Sequence, residues 1–134
     1  MTLVQIRNAI AAQLNNNWVH AGVPVFYANA EEIDIALIGT HFLKCDVYFD
    51  DAQQINIDPA PHHRTYGTLV LTVLAREAEG TTTTLGYLDE LTTLFKFKAL
   101  SGVHTQTPKP GMEVYRDGWF SMQLRVPFWA DSNT

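Results

Sequence analysis

Between Trp119 and Trp129 the chain reads WFSMQLRVPFW, and from Phe120 onward every second residue is apolar: Phe120, Met122, Leu124, Val126, Phe128. A period of two belongs to a β-strand, whose successive side chains point to opposite faces. One unbroken apolar face of that length must be buried, so the chain has to build a sheet with a layer packed on one side. The opposite face carries Trp119, Ser121, Gln123, Arg125, Pro127 and Trp129. Two tryptophans on that face need a cover, either helices of the same chain or another molecule.

Other segments supply partners for this strand. TYGTLVLTVLAR (residues 65–76) is rich in β-branched residues, and Leu69, Leu71 and Val73 oppose Val70, Thr72 and Leu74, which predicts a strand covered in part on both faces. In HFLKCDVYFD, Leu43, Cys45, Val47 and Phe49 alternate with Phe42, Lys44, Asp46 and Tyr48, the pattern of a half-buried strand. VPVFY predicts a short strand that Pro24 confines to an edge or an entry position. VHTQT starts another extended piece, interrupted by PKPG, and Asp117-Gly118 is a favoured two-residue turn that makes MEVYRDGWFSMQLRVPFW a hairpin.

Two segments have helical spacing instead. Over residues 2–17, Thr2 suits an N-cap and Leu3, Ile6, Ile10 and Leu14 form one stripe, with Asn15-Asn16-Asn17 ending it and Trp18 folding back. A second helix is predicted over 83–98, with Leu85, Leu88, Leu91, Leu94 and Phe95 inward and Lys96 and Lys98 at the negative end of its dipole. Helix, strands, helix, strands is the order of an α+β domain: one mixed, antiparallel-rich sheet with two helices on one face. At 134 residues the whole of 1–134 makes one domain. The segment DDAQQINIDPAPHHR, residues 50–64, is the least core-like and is expected to be a long projecting loop or arm, or a flexible hairpin, between the two longest central strands. Residues 130–134 are expected to be a flexible tail.

Charge narrows the partners. Nine basic residues against fourteen acidic ones, net −5, with no basic run, do not make a DNA-gripping surface. Only 17% of residues are charged, against the usual ~25%, which points toward assembly with other copies or proteins. Cys45 is the single cysteine and sits among apolar strand residues, so no disulfide framework is possible; a reducing compartment is expected. Apolar runs are too short to span a bilayer, and MTLVQIRNAIAAQL lacks a signal-peptide core.

Catalytic patterns are weak. Asp58, His62 and His63, with His104, form the best metal cluster, but adjacent histidines on an extended segment point apart, and zinc-type spacings are missing. No serine lies in a Gly-x-Ser-x-Gly turn, and Cys45 has no histidine nearby in sequence. GTTTT lacks the lysine and second glycine of a phosphate loop and is read as helix capping. Glu31, Glu32 and Asp34, and the pair Asp50 and Asp51, read as solvated loop carboxylates. The expectation is no enzyme, no metal and no cofactor.

Taken end to end, the layout resembles the phage tail terminator-like family of tailed bacteriophages. The resemblance rests on LVQIRNAIAAQL followed by VPVFYAN, on HFLKCDVYF with RTYGTLVLTVLAREAEGTTTTLGYLDELTTLF, and on the closing DGWFSMQLRVPFWAD. It implies a structural virion protein, made late, which forms a homohexameric ring at the head-proximal end of the tail after assembling in the host cytoplasm. Such a ring ends polymerisation of the tail tube protein, offers a surface to head-completion or neck proteins, and lets DNA pass without sequence-specific binding. A ring needs one patch on each subunit to meet a different patch on the next. Trp119, Arg125 and Trp129 are candidates for one patch, and Phe42 and Tyr48 for the other. Asp50, Asp51, Ile55, Ile57, His62 and His63 are candidates for an arm that reaches along the ring axis or onto a neighbour. An acidic balance suits a DNA conduit, because a lysine- and arginine-rich lumen would hold passing phosphates. Two other readings are another head–tail joining protein of similar build and a small metal- or ligand-binding domain around His62, His63 and His104.

Overall fold

The computed structural model describes residues 2–27, 39–54, 63–76 and 80–132. Helix α1 (Leu3–Asn17) starts on a capping box: Thr2 Oγ1 accepts from the Gln5 amide at 3.1 Å, and the Gln5 side chain accepts from the Thr2 amide at 2.8 Å. Ile6, Ile10 and Leu14 are fully buried, but Leu3, expected in the same stripe, is exposed. Trp18 is the C-cap and its indole donates to the Val23 carbonyl, so the chain does fold back there.

Strands β1 (Val25–Tyr27), β2 (His41–Gln54) and β3 (His63–Arg76) precede helix α2 (Thr82–Phe95); β4 (Ala99–Leu100), β5 (Val103–Thr105), β6 (Lys109–Arg116) and β7 (Trp119–Ser132) follow it. The inward stripe of α2 is Thr84, Leu88, Leu91 and Phe95. Leu85 is exposed because it lies about 100° round the helix from Thr84. The helix stops at Phe95, short of the expected 98, and Phe97 takes a left-handed φ of 50°. Lys96 and Lys98 therefore lie beyond the last turn. Thr81 occupies the N-cap without a side-chain hydrogen bond, so the threonine run does not cap the helix as expected. What anchors its far end is Thr105: the buried hydroxyl donates to the Phe95 carbonyl and accepts from the Lys98 amide at 2.8 Å.

The strands form one sheet in the order β1-β2-β3-β7-β5-β4, with β6 also on β7. β1 runs parallel to β2, and the other pairings are antiparallel. Long β7 is central: β3 lines one of its edges over its whole length, while β6 and β5 share the other. Both helices contribute to the core on the face bearing Leu43, Leu69, Leu71, Leu124 and Phe128. The protein is a single α+β domain, as the periodicities require. Gln13 Nε2, donating to the Leu94 carbonyl at 2.8 Å, ties the two helices together.

Two further boundaries differ from expectation. Asp50 and Asp51 are not loop residues: β2 continues to Gln54 and β3 begins at His63, with Asp51 opposite Tyr66 and Gln54 opposite His63. Asp50 is the extra residue of a bulge, and its carboxylate accepts from Thr68 Oγ1 at 2.9 Å. This end of the β2–β3 hairpin is exposed at Asp51 and Ala52, so it carries no apolar alternation to read. The rest of the segment expected as an arm, residues 55–62 with Ile55, Ile57, Asp58 and His62, lies outside the described residues, as do Glu31, Glu32 and Asp34. Nor does the tail begin at 130: Ala130 is buried, and Arg64 donates two hydrogen bonds to the Asp131 carboxylate, at 2.8 and 3.1 Å, within β7.

Candidate self-assembly surface

The helices cover only one face of the sheet. Register puts Phe42, Lys44, Asp46 and Tyr48 of β2 on the opposite face with Val70, Thr72 and Leu74 of β3 and the odd-numbered residues of β7. The two tryptophans there are covered from within the sheet rather than by helices. Trp119, 8% exposed, meets Phe42 edge to face at 5.0 Å, with Phe26 and Leu74 packed beside them and the Arg76 guanidinium 4.7 Å from its ring centre. Such an aromatic pair adds about 0.5–1.5 kcal/mol beyond its buried area. Trp129 stacks on His104 at 4.1 Å and 17°, and the Arg64 guanidinium lies 3.9 Å from the same ring. The Asp131 carboxylate holds that guanidinium in place and keeps its pKa above the usual value.

Between the β2 side and the β6–β7 hairpin this face forms an open groove of about 480 Å³, with Phe42 and Trp119 in its lining and Asp46 and Arg116 among its polar residues. Of the sequence-derived interface candidates, Tyr48 and Arg125 are exposed, Trp129 is half-buried, and Phe42 and Trp119 are consumed by their mutual contact. Strand register puts all four aromatics on this face, where Phe42, Trp119 and Trp129 hold the sheet together.

Residues that sequence patterning passed over are the exposed ones on β6. Met112 is 70% exposed, Tyr115 66% and Val114 36%. β6 pairs only with β7 among the described residues, leaving its other edge open. A bulge between Pro110 and Glu113 interrupts its register with β7, and the same irregularity hides any period-two signal in KPGMEVYR. At the hairpin tip Asp117 and Gly118 have φ of 53° and 81°, both left-handed, as a type I′ turn requires. The sheet is thus extended by a ribbon that carries apolar side chains into solvent.

No family model matches the chain, and no curated protein sequence matches it. A solved structure does resemble it, with a TM-score of 0.72 over 97% of this chain and 96% of that one, at 18% sequence identity. The likeness is one of fold.

Chemistry elsewhere is sparse. Cys45 lines a small cavity of about 160 Å³ under α1 with Arg7, Tyr27 and Phe49. Burial pushes the Cys45 thiol up to about 12, with the Asp46 charge adding to the rise, so it stays protonated at neutral pH and is a poor nucleophile. Burial likewise raises Tyr27 to about 12, and its hydroxyl donates to Asn15 Oδ1. His63 and His104 are not brought together: His63 shares the face of Thr65 and Gly67, whereas His104 is on Trp129 on the other face. Among the described residues no group of three or more His, Cys, Asp or Glu side chains is placed to hold a metal ion. A different histidine, His20, pairs with Glu90 beside Trp18 and Tyr87, which fastens the segment after α1 to α2.

Proposed function

We propose that this protein is a tail terminator of a tailed bacteriophage: a structural subunit that closes into a ring, a homohexamer in the reading implied by the resemblance, on the last tier of the tail tube. The ring stops tube polymerisation, presents the attachment surface for head-completion proteins, and leaves a channel for DNA. It sits at the head-proximal end of the tail in the virion, assembles in the host cytoplasm, and works by shape, without a cofactor or a catalytic step.

The observation that carries this reading is the β6 ribbon, an open-edged strand presenting Met112, Val114 and Tyr115 to solvent beside a sheet face that no helix covers. Apolar groups collected on one exposed element mark a contact surface more often than chance scatter does. The low charged fraction supports it, and so does the sequence resemblance over most of the chain. A net charge of −5 also suits a channel that must release phosphates rather than bind them.

The test is reconstitution with the tail tube protein. Added to polymerising tubes, this protein should cap one end as a ring visible by negative-stain microscopy and halt growth there. Tubes that elongate at an unchanged rate with bare ends would exclude the reading.

A further inference from the structure

Two strips on opposite sides of the uncovered sheet face, exposed except at the half-buried Asp46, carry opposite charge. One is the ribbon: Lys109 is paired with Arg125 across β6 and β7, and Arg116 with Trp119, so all three cations share the outer face with Val114 between them. The other is on β2, where Asp46, Tyr48 and the bulged Asp50 lie on or beside that same outer face, Lys44 being the one cation among them. Tyr48 is 55% exposed, and among the described residues Arg116 has only the exposed Asp117 carboxylate, at 3.7 Å, as an ion-pair partner. Asp46, Lys109 and Arg125 have no ion-pair partner among the described residues.

Resting on the ring reading, we infer that neighbouring copies of this chain meet head to tail through these strips. The β6–β7 ribbon of one copy lies along the outer face of β2 of the next, Val114 against Tyr48 and the cations of the ribbon against Asp46 and Asp50. The occupant of each strip is a second copy because the two strips complement each other in charge and each has an exposed apolar residue at its middle. A two-fold contact of ribbon on ribbon would set Lys109, Arg116 and Arg125 against their own kind and leave the acidic strip uncovered. Like charges across an interface are penalised, whereas opposite ones set its register. A head-to-tail contact uses both strips once per subunit, the condition for a ring to close.

Charge reversal tests this with a self-consistent set. Lys109→Glu/Arg116→Glu makes the ribbon acidic, and Asp46→Lys/Asp50→Lys makes the β2 strip basic. Circular dichroism first verifies that each variant is folded. By sedimentation, and by ring formation on tail tubes, each variant alone should associate at least tenfold more weakly than wild type. An equimolar mixture of the two should regain association, since each ribbon then faces a β2 strip of opposite sign, and so should the four-fold variant alone. A second readout needs only weak contact: a bifunctional thiol cross-linker should join Arg116→Cys to Asp46→Cys in a mixture, faster than either variant to itself. If wild type assembles and the reversals leave it unaffected, if the mixture fails to recover, or if Arg116→Cys links chiefly to itself, this interface is wrong and the ring reading stands. If wild type forms no assembly alone or on tubes, the ring reading falls and takes this inference with it.

Discussion

Gly67 shows how closely single residues are committed here. It sits in the middle of β3 opposite Phe128, and a β-carbon there would come 2.3 Å from the Phe128 ring and 2.5 Å from the Tyr48 carbonyl oxygen. Phe128 uses the missing side chain's space, and Phe49 closes over it edge to face at 6.2 Å. Gly67→Ala should therefore lower stability by about 1–3 kcal/mol, the usual range for overpacking, as measured by urea unfolding. A change within a few tenths of wild type would mean that Phe128 does not occupy that space. At this scale the sequence revealed which residues of the long strands face inward and which outward, because alternation is local. It did not reveal what covers Trp119 and Trp129, since Phe42, Arg76, Arg64 and His104 reach them only through strand register.

The elements were legible with their bounds where a face is buried; where none is, the hairpin of β6 and β7 was legible but the strand ends were not. α1 from Thr2, the β3 strand and the alternation of β7 follow directly from periodicity and capping. The far end of the β2–β3 hairpin and the ribbon β6 are exposed, and exposure erases the pattern on which boundaries depend. The turn between β6 and β7 was nonetheless readable, because Asp-Gly is a conformational signal rather than a burial signal. Gly118, at φ 81°, should tolerate no β-carbon without strain, although nothing lies within 4 Å of the site. Gly118→Ala is expected to weaken the ribbon by roughly 1 kcal/mol. Hydrogen exchange should then quicken several-fold at the β6 amides while the Leu71 and Leu124 amides exchange as before. Equal acceleration throughout the sheet would show that the ribbon is not a separable unit.

At the scale of the whole molecule, a sheet covered by helices on one side only is an unfinished architecture. The core on the helix side is complete in one chain, with Leu43, Leu69, Val73 and Val126 fully buried. The other side is held by two aromatic clusters and an ion pair, and beyond them the ribbon and the β2 strip offer opposite charge and exposed apolar groups. Under the proposal made above, copies of this chain meet through those strips with little rearrangement, the property a ring subunit needs. The proposed ring would set where a phage tail ends. Electron microscopy of particles made without this protein tests it most directly. Tails that run past their normal length and carry no heads are expected; tails of uniform normal length joined to filled heads would rule the proposal out.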